Sequence, residues 1–516
     1  MPDSDSDRQL QGQPLVIMGD DAERTKGSDA QDHNIQSARA VSDAVRTTLG
    51  PQGMDKMLAE GDNIVITNDG ATILDKMDID NHTAEMIVEV AETQEEEAGD
   101  GTTTSVVLAG ELLHQAGDLL DQDVHSTVIV DGYREAAERA AEVLDDLAVE
   151  VTDERLRQVA ETSMTGRGTD YDREWISDLL VDAVRQVEAD GSVDLDRVKT
   201  ESTTGGSLED SELVSGAALD VEPAHSEMPA TVDGDALLLE GGIAIQETET
   251  DAEISVETAD QLQDVIGREE EQLEERVQAI ADLGVDVLFA GDDVADTAVH
   301  YLNRHGILTF DGVDDDDLAF LAASLDTQVA SDVENATDAD VAPATVEHRD
   351  GLTYVEGPEA RGVTILLRGG TEHVVEEIER GTDDALAVLA NAVEDGQVLP
   401  GGAAPESEVA LRLRDHADGV GGRKQLAVEA FADALDVVPR TIAENAGLDP
   451  IDAVVALRNA HDGGAQNDGL DVETGGTIDA LDAGIVDSFS SKRQAVEGAE
   501  NAASMILRID DIIAGG

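Results

Sequence analysis

The sequence predicts a multidomain protein of α and α/β type. Helical periodicity fills both ends of the chain, a strand–helix–strand rhythm fills its centre, and no internal repeat is present. At 516 residues the chain is too long for one ordinary core, so two or three domains are expected. Helical halves around an α/β insert suggest a nested layout in which both chain ends build one domain.

Residues 1 to about 14 read as a mobile arm. From Asp32 to Leu49, apolar Ile35, Ala38, Val41, Val45 and Leu49 recur at three- and four-residue steps. That spacing predicts an amphipathic helix, ended by Gly50-Pro51. Asn68-Asp69-Gly70, between Ile64-Val65-Ile66-Thr67 and Ala71-Thr72-Ile73-Leu74, predicts a β-hairpin. Helical periodicity then continues to about residue 148.

In the middle, Leu262, Val265, Ile266, Leu273, Val277, Ile280 and Leu283 mark a long helix carrying Glu269-Glu270-Glu271. Gly284 to Gly291 reads as a buried strand, Asp293 to His305 as a helix and Gly306 to Phe310 as the next strand. Gly362 to Gly370 is a strand that closes this α/β region with a glycine pair. Helices return from Glu372, and the last, about Ser491 to Ile509, puts Val496, Ala499, Ala503, Ile506 and Leu507 on one face.

Charge narrows the function classes. Asp and Glu total 116 against 32 Lys plus Arg, a formal charge of −84, yet 41% of residues are apolar. The periodic apolar positions argue for a folded protein with an acidic skin rather than disorder. Self-repulsion opposes that fold. Molar salt relieves it, because the Debye length falls to about 3 Å at 1 M. A salt-rich cytoplasm is the expected setting. No basic stripe exists to neutralise nucleic-acid phosphates, and no apolar run approaches the ~20 residues of a membrane helix. The chain has no cysteine, and its acidic start is unlike a secretory signal. Neither nucleic acid nor membrane is an expected partner.

The most informative stretch is Gly99-Asp100-Gly101-Thr102-Thr103-Thr104, leading straight into the apolar-periodic Ser105 to Leu113. Glycines allow close backbone approach, and a helix start presents unpaired amides that favour phosphate. Asp100 would repel a bare phosphate but suits a Mg²⁺ ion bridging to one. The stretch reads either as a metal-nucleotide phosphate site or as an ordinary helix cap. No GxxxxGK[ST] loop occurs, so any use of ATP takes another route.

Thr48-Leu49-Gly50-Pro51, Asn68-Asp69-Gly70, Gly99 to Thr104, and Pro400-Gly401-Gly402 each set glycine or a helix start beside a small polar residue. These four elements, in this order, resemble the group II chaperonins, the thermosome-like ATP-driven folding rings of the TCP-1/cpn60 family. Thr47 to Leu58, Ile66 to Leu74 and Gly447-Leu448-Asp449-Pro450-Ile451-Asp452 carry the same likeness, which runs from about residue 15 to 513. The resemblance implies a mostly helical equatorial ATP-binding domain (1–149 and 395–516), a small intermediate α/β hinge domain (150–216 and 370–394) and an α/β apical client-binding domain (217–369). Hinges would match Gly216 and Gly369, and a helical protrusion over about 245–280 would serve as lid. Identical or paralogous subunits would form rings of eight or nine stacked in pairs, confining non-native client proteins in the cytoplasm.

The same resemblance assigns residues. Asp100 matches the Mg²⁺ ligand; Asp69 and Asp384 match two carboxylates that serve the attacking water. Leu49, Gly50, Pro51, Gly70, Gly101, Thr102, Thr103, Thr104 and Arg167 would contact ATP phosphates, and Gly402 and Asp487 would face the adenosine. Each carboxylate also has a plainer reading: Asp69 as the hairpin turn, Asp100 as a helix cap, Asp384 and Asp487 as surface acids. Four features depart from the family pattern, one of them the end Ile513-Ala514-Gly515-Gly516, expected to be a stub of the usual glycine-methionine tail. Gln52 and Arg167 stand where lysines are usual, and Ala403 follows Gly401-Gly402 where a third glycine is usual. Gln52, Arg167 and Ala403 leave open a regulatory or structural subunit of a mixed ring with little or no ATPase; a separate rival is a metal-dependent phosphohydrolase, which would need no long apical insert and no ring.

Overall fold

Three separate hydrophobic cores organise the chain. The computed structural model describes residues 23–60, 63–77, 79–165, 173–244, 259–358 and 361–514. The first core is helical and draws on both chain ends: Val41, Ile87, Leu108, Leu112, Tyr133 and Leu144 meet Phe431, Leu435, Leu457, Phe489 and Ile506. Its central helix is Thr102–Asp121, packed between Ser28–Val45 and Phe489–Leu507. Gly110 makes one crossing possible, since a Cβ there would lie 2.4 Å from the Ser42 Cβ. Tyr133 packs edge-on to Phe431 at 5.6 Å and donates its hydroxyl to the Leu112 carbonyl. The strands Glu23–Lys26 and Asp511–Ala514 pair antiparallel and bring the two ends together.

The second core lies around a six-stranded mixed sheet. Thr231–Leu239, Val287–Ala290 and Leu308–Phe310 run parallel, as the strand–helix–strand rhythm predicts. Val341–Arg349, Leu352–Glu356 and Ala217–Leu219 extend the sheet antiparallel. The helices Ala259–Asp282 and Asp296–His305 lie where periodicity places them. The third, smallest core holds Leu156, Leu180, Val184, Ile365, Leu367 and Leu389. It joins the helices Asp153–Ser163, Arg173–Val187 and Glu372–Asp395 to a three-stranded sheet.

Two expectations are corrected. Asn68-Asp69-Gly70 is no hairpin turn: Asn63–Thr67 pairs instead with the preceding Lys56–Glu60, and Gly70–Asp75 is helix. Asp69 decides this locally, its Oδ2 accepting from the Thr72 amide at 2.7 Å as a helix cap. Val363–Gly369 also does not close the central sheet. It pairs parallel with Val198–Thr204 and antiparallel with Glu212–Ser215, in the small sheet. The expected arm over 1–14 and the 245–258 part of the protrusion lie outside the described residues.

Candidate functional site

The glycine loops of the first core converge at a spacing that side chains would not allow. A Cβ on Gly70 would lie 2.5 Å from the Thr103 Oγ1, so the starts of the Gly70–Asp75 and Thr102–Asp121 helices meet only without one. Gly99 ends the His82–Ala98 helix at φ 66°, and Gly101 opens the next at φ 87°. The Asp100 carboxylate folds onto the Gly101 amide at 2.7 Å, while Gln94 holds the Asp100 carbonyl. The plainer reading of Asp100 as a cap fails, since the capping residue is Gly101 and makes no side-chain cap bond. Thr102 donates its hydroxyl to Glu95. On the opposite wall Gly402, at φ 65°, takes the Leu470 amide on its carbonyl, and Gly401 donates to the Ile485 carbonyl.

These loops enclose a cavity of about 1080 Å³. Leu49, Gly50, Pro51, Asp69, Gly70, Asp100, Gly101, Thr102, Thr103, Thr104, Gly402 and Asp487 all line it. Asp384 lines a smaller cavity of about 270 Å³, with Arg380 and Asp383. Asn68, Asp69 and Glu95 line both, so Asp69 stands in the common wall. Asp384 comes from the third core, on the Glu372–Asp395 helix, and Gly99 admits that helix. A Cβ on Gly99 would lie 2.4 Å from the Ala387 Cβ, one turn from Asp384. Arg167 lies outside the described residues.

Asp487 is no surface acid. Its side chain is 19% exposed and 3.0 Å from Lys492 Nζ, which also reaches Glu406 Oε1 at 2.8 Å. Burial pushes the Asp487 carboxyl above the usual aspartate range, against the pull of Lys492. Burial opposes charge on Lys492 too, but Asp487 and Glu406 outweigh it and hold the ammonium protonated. The motif reading missed Lys492, Glu406, Glu95 and Arg380. The one available signal was scarcity, because Lys492 is one of only six lysines.

The donor set fits a metal-nucleotide. Helix starts and Cβ-free backbone suit phosphate, the 470–485 wall offers Leu470, Ile478 and Ile485 to a base, and Asp487 suits hydroxyls. Among the described residues no cluster of three acidic or histidine side chains could hold a metal ion alone. A divalent ion here would therefore rest on Asp100 together with phosphate oxygens.

The TCP-1/cpn60 chaperonin family model matches residues 41–516. The chain is 52% identical to thermosome subunit beta of Halobacterium salinarum, over 99% of this chain and 94% of that relative. It is 51% identical to thermosome subunit 1 of Haloferax volcanii (99% and 93% covered) and 49% identical to a thermosome subunit of Methanopyrus kandleri (98% and 95%). The chain belongs to the TCP-1/cpn60 chaperonin family. It is a thermosome-like chaperonin subunit, and ATP hydrolysis coupled to protein folding comes with that membership. No described helix of this chaperonin is long and apolar enough to cross a membrane.

Proposed function

We infer that this chaperonin subunit hydrolyses ATP where its two cavities adjoin, the larger taking the nucleotide and the smaller the attacking water. One observation carries the reading: Asp69 stands in the wall common to both cavities, and Asp384 reaches the smaller one from a different core. Leu49, Gly50, Pro51, Gly70, Gly101, Thr102, Thr103 and Thr104 cradle the phosphates. Gly402 backs the adenosine, and Asp487 accepts from its ribose. Asp100 holds Mg²⁺, which when bound neutralises charge on the phosphates. Asp69 and Asp384 orient the water and take its proton. Because Asp384 rides on the third core, hydrolysis depends on that core resting against the glycine loop, which couples chemistry to conformation. Arg167 would add a planar, forked cation in place of the usual lysine.

The three cores correspond in this reading to equatorial, intermediate and apical domains. Gly216 is the joint between the last two: at φ 88° it links Glu212–Ser215 of the small sheet to Ala217–Leu219 of the large one. The chain returns between Glu356 and Val363, ahead of the expected Gly369. Relatives bearing paired names, subunits 1 and 2 of Haloferax volcanii, support paralogous partners in a stacked double ring that encloses non-native proteins. The acidic skin and the Halobacterium and Haloferax relatives support a salt-rich cytoplasm.

The purified chain, alone in molar KCl, is expected to form double rings by electron microscopy and to hydrolyse ATP with Mg²⁺. Asp384→Ala should bind ATP with near-parental affinity and turn over at least ~100-fold more slowly, the scale of a lost general base. Near-parental turnover by that variant refutes the assignment. Circular dichroism against KCl tests the salt requirement, and full stability in dilute buffer refutes it.

A further inference from the structure

The geometry points to Lys492 as the residue that sets ribose specificity, holding Asp487 so that one carboxylate oxygen is presented to the nucleotide's hydroxyls. This rests on the reading of the large cavity as the nucleotide site and of Asp487 as its ribose acceptor. Lys492 and Asp487 both line that cavity, next to Gly402, Ser488 and Ser491. Asp487 gives Oδ2 to the ammonium at 3.0 Å. Its Oδ1 lies beside Gly401, where a Cβ would stand 3.1 Å away, so only a residue without a side chain leaves that oxygen uncovered.

Glu406 explains why one lysine serves two acids. It sits in the first turn of the Ala404–Ala417 helix, where the helix dipole favours a negative charge. Its Oε1 takes Lys492 at 2.8 Å, and its buried Oε2 has no hydrogen-bond partner among the described residues. The ammonium is thus shared between the two acids, which leaves Asp487 Oδ1 outside the ion pair. Asp487 Oδ1 is an acceptor for hydroxyl donors, and a phosphate there offers it no hydrogen to accept. A nucleoside with a free diol fits this corner; a sugar without hydroxyls, or one carrying phosphate there, does not. Lys492 touches carboxylates rather than substrate in this arrangement, so it is a positioning residue.

Equilibrium binding of ATP and of 2′,3′-dideoxy-ATP, in molar KCl with Mg²⁺, tests this on the intact oligomer. The parent is expected to prefer ATP by about tenfold or more, the scale of a hydrogen bond to a charged group. Lys492→Met should reduce the preference to within about twofold, while Lys492→Arg, which keeps the charge, should restore most of it. Melting and particle mass report folding, and if Lys492→Met does not fold, the pair Lys492→Met with Glu406→Gln removes one stranded acid and carries the same test. A folded variant without the lysine that keeps the parental preference overturns the inference. Asp487→Asn separates the two levels. Loss of preference there with its retention in Lys492→Met refutes Lys492 alone, whereas an unchanged preference in Asp487→Asn refutes the ribose reading beneath it.

Discussion

The third core meets its two neighbours through seams that share a glycine contact and differ in a buried lysine. Toward the nucleotide cavities it closes by shape: Ala387 fills the space that a Gly99 side chain would need, and Asn391 donates to the Glu97 carbonyl at 3.3 Å. Toward the six-stranded sheet it closes by shape too, since a Cβ on Gly362 would lie 1.9 Å from the Ser324 Oγ, and charge is added there. Lys199 on Val198–Thr204 pairs with Asp317 on the helix Asp315–Leu325, and lies 3.4 Å from Glu201 on its own strand. All three side chains are largely buried, at 20%, 12% and 14% exposure. The first seam carries Asp395, which accepts from the Ser490 amide, but only the second holds two acids on one buried lysine, the arrangement most exposed to pH and screening.

Gly99→Ala should break the comparison most forcefully. It places a methyl against Ala387 at a left-handed φ of 66°, strain and overpacking together of roughly 2–4 kcal/mol. Displacing the Glu372–Asp395 helix moves Asp384, so turnover should fall more than tenfold while ATP binding changes little, as steady-state rates and nucleotide titration would show. Equal losses in both would mean the loop, not the seam, had failed.

The charged seam should answer to pH instead. Burial, with the acids Asp317 and Asp220 nearby and Lys199 opposing, raises the Glu201 carboxyl to about 7. A carboxyl raised on folding favours the protonated chain. Its stabilisation is full below the ordinary glutamate value and fades as pH climbs through about 7. Glu201→Gln, neutral throughout, should therefore gain melting temperature relative to the parent between about pH 5 and pH 8. A constant difference across that range would remove the titrating role.

Ala403→Gly gives the smallest effect and sharpens the first prediction. Ala403 already sits buried at φ 63° in the same core, so an alanine is tolerated in the left-handed region there. Relief of strain is offset by the lost buried methyl and the freer unfolded chain, and chemical denaturation should change by under about 1 kcal/mol. A gain larger than that would give φ strain the greater share of the Gly99→Ala loss.

Local features were legible because they are encoded over a few residues. The long helices, the parallel strands around Val287 and Leu308, and the glycine loops follow from periodicity and backbone freedom. The hairpin at Asn68-Asp69-Gly70 misled because two local signals compete, a turn dipeptide and an aspartate cap, and the cap won through Thr72. The acid alternatives for Asp100 and Asp487 could not be separated without knowing their surroundings.

Residue order alone reached the nested helical and α/β architecture and, through motif order, the glycines and acids that line the two cavities, since these rest on short-range rules and on the family resemblance. Folding decided which distant groups share a wall. Lys492 between Glu406 and Asp487, Lys199 against Asp317, Ala387 on Gly99 and the sheet that Val363–Gly369 joins all depend on registers set across long stretches of chain. Packing of whole cores sets those registers, and no pattern within a single segment contains them.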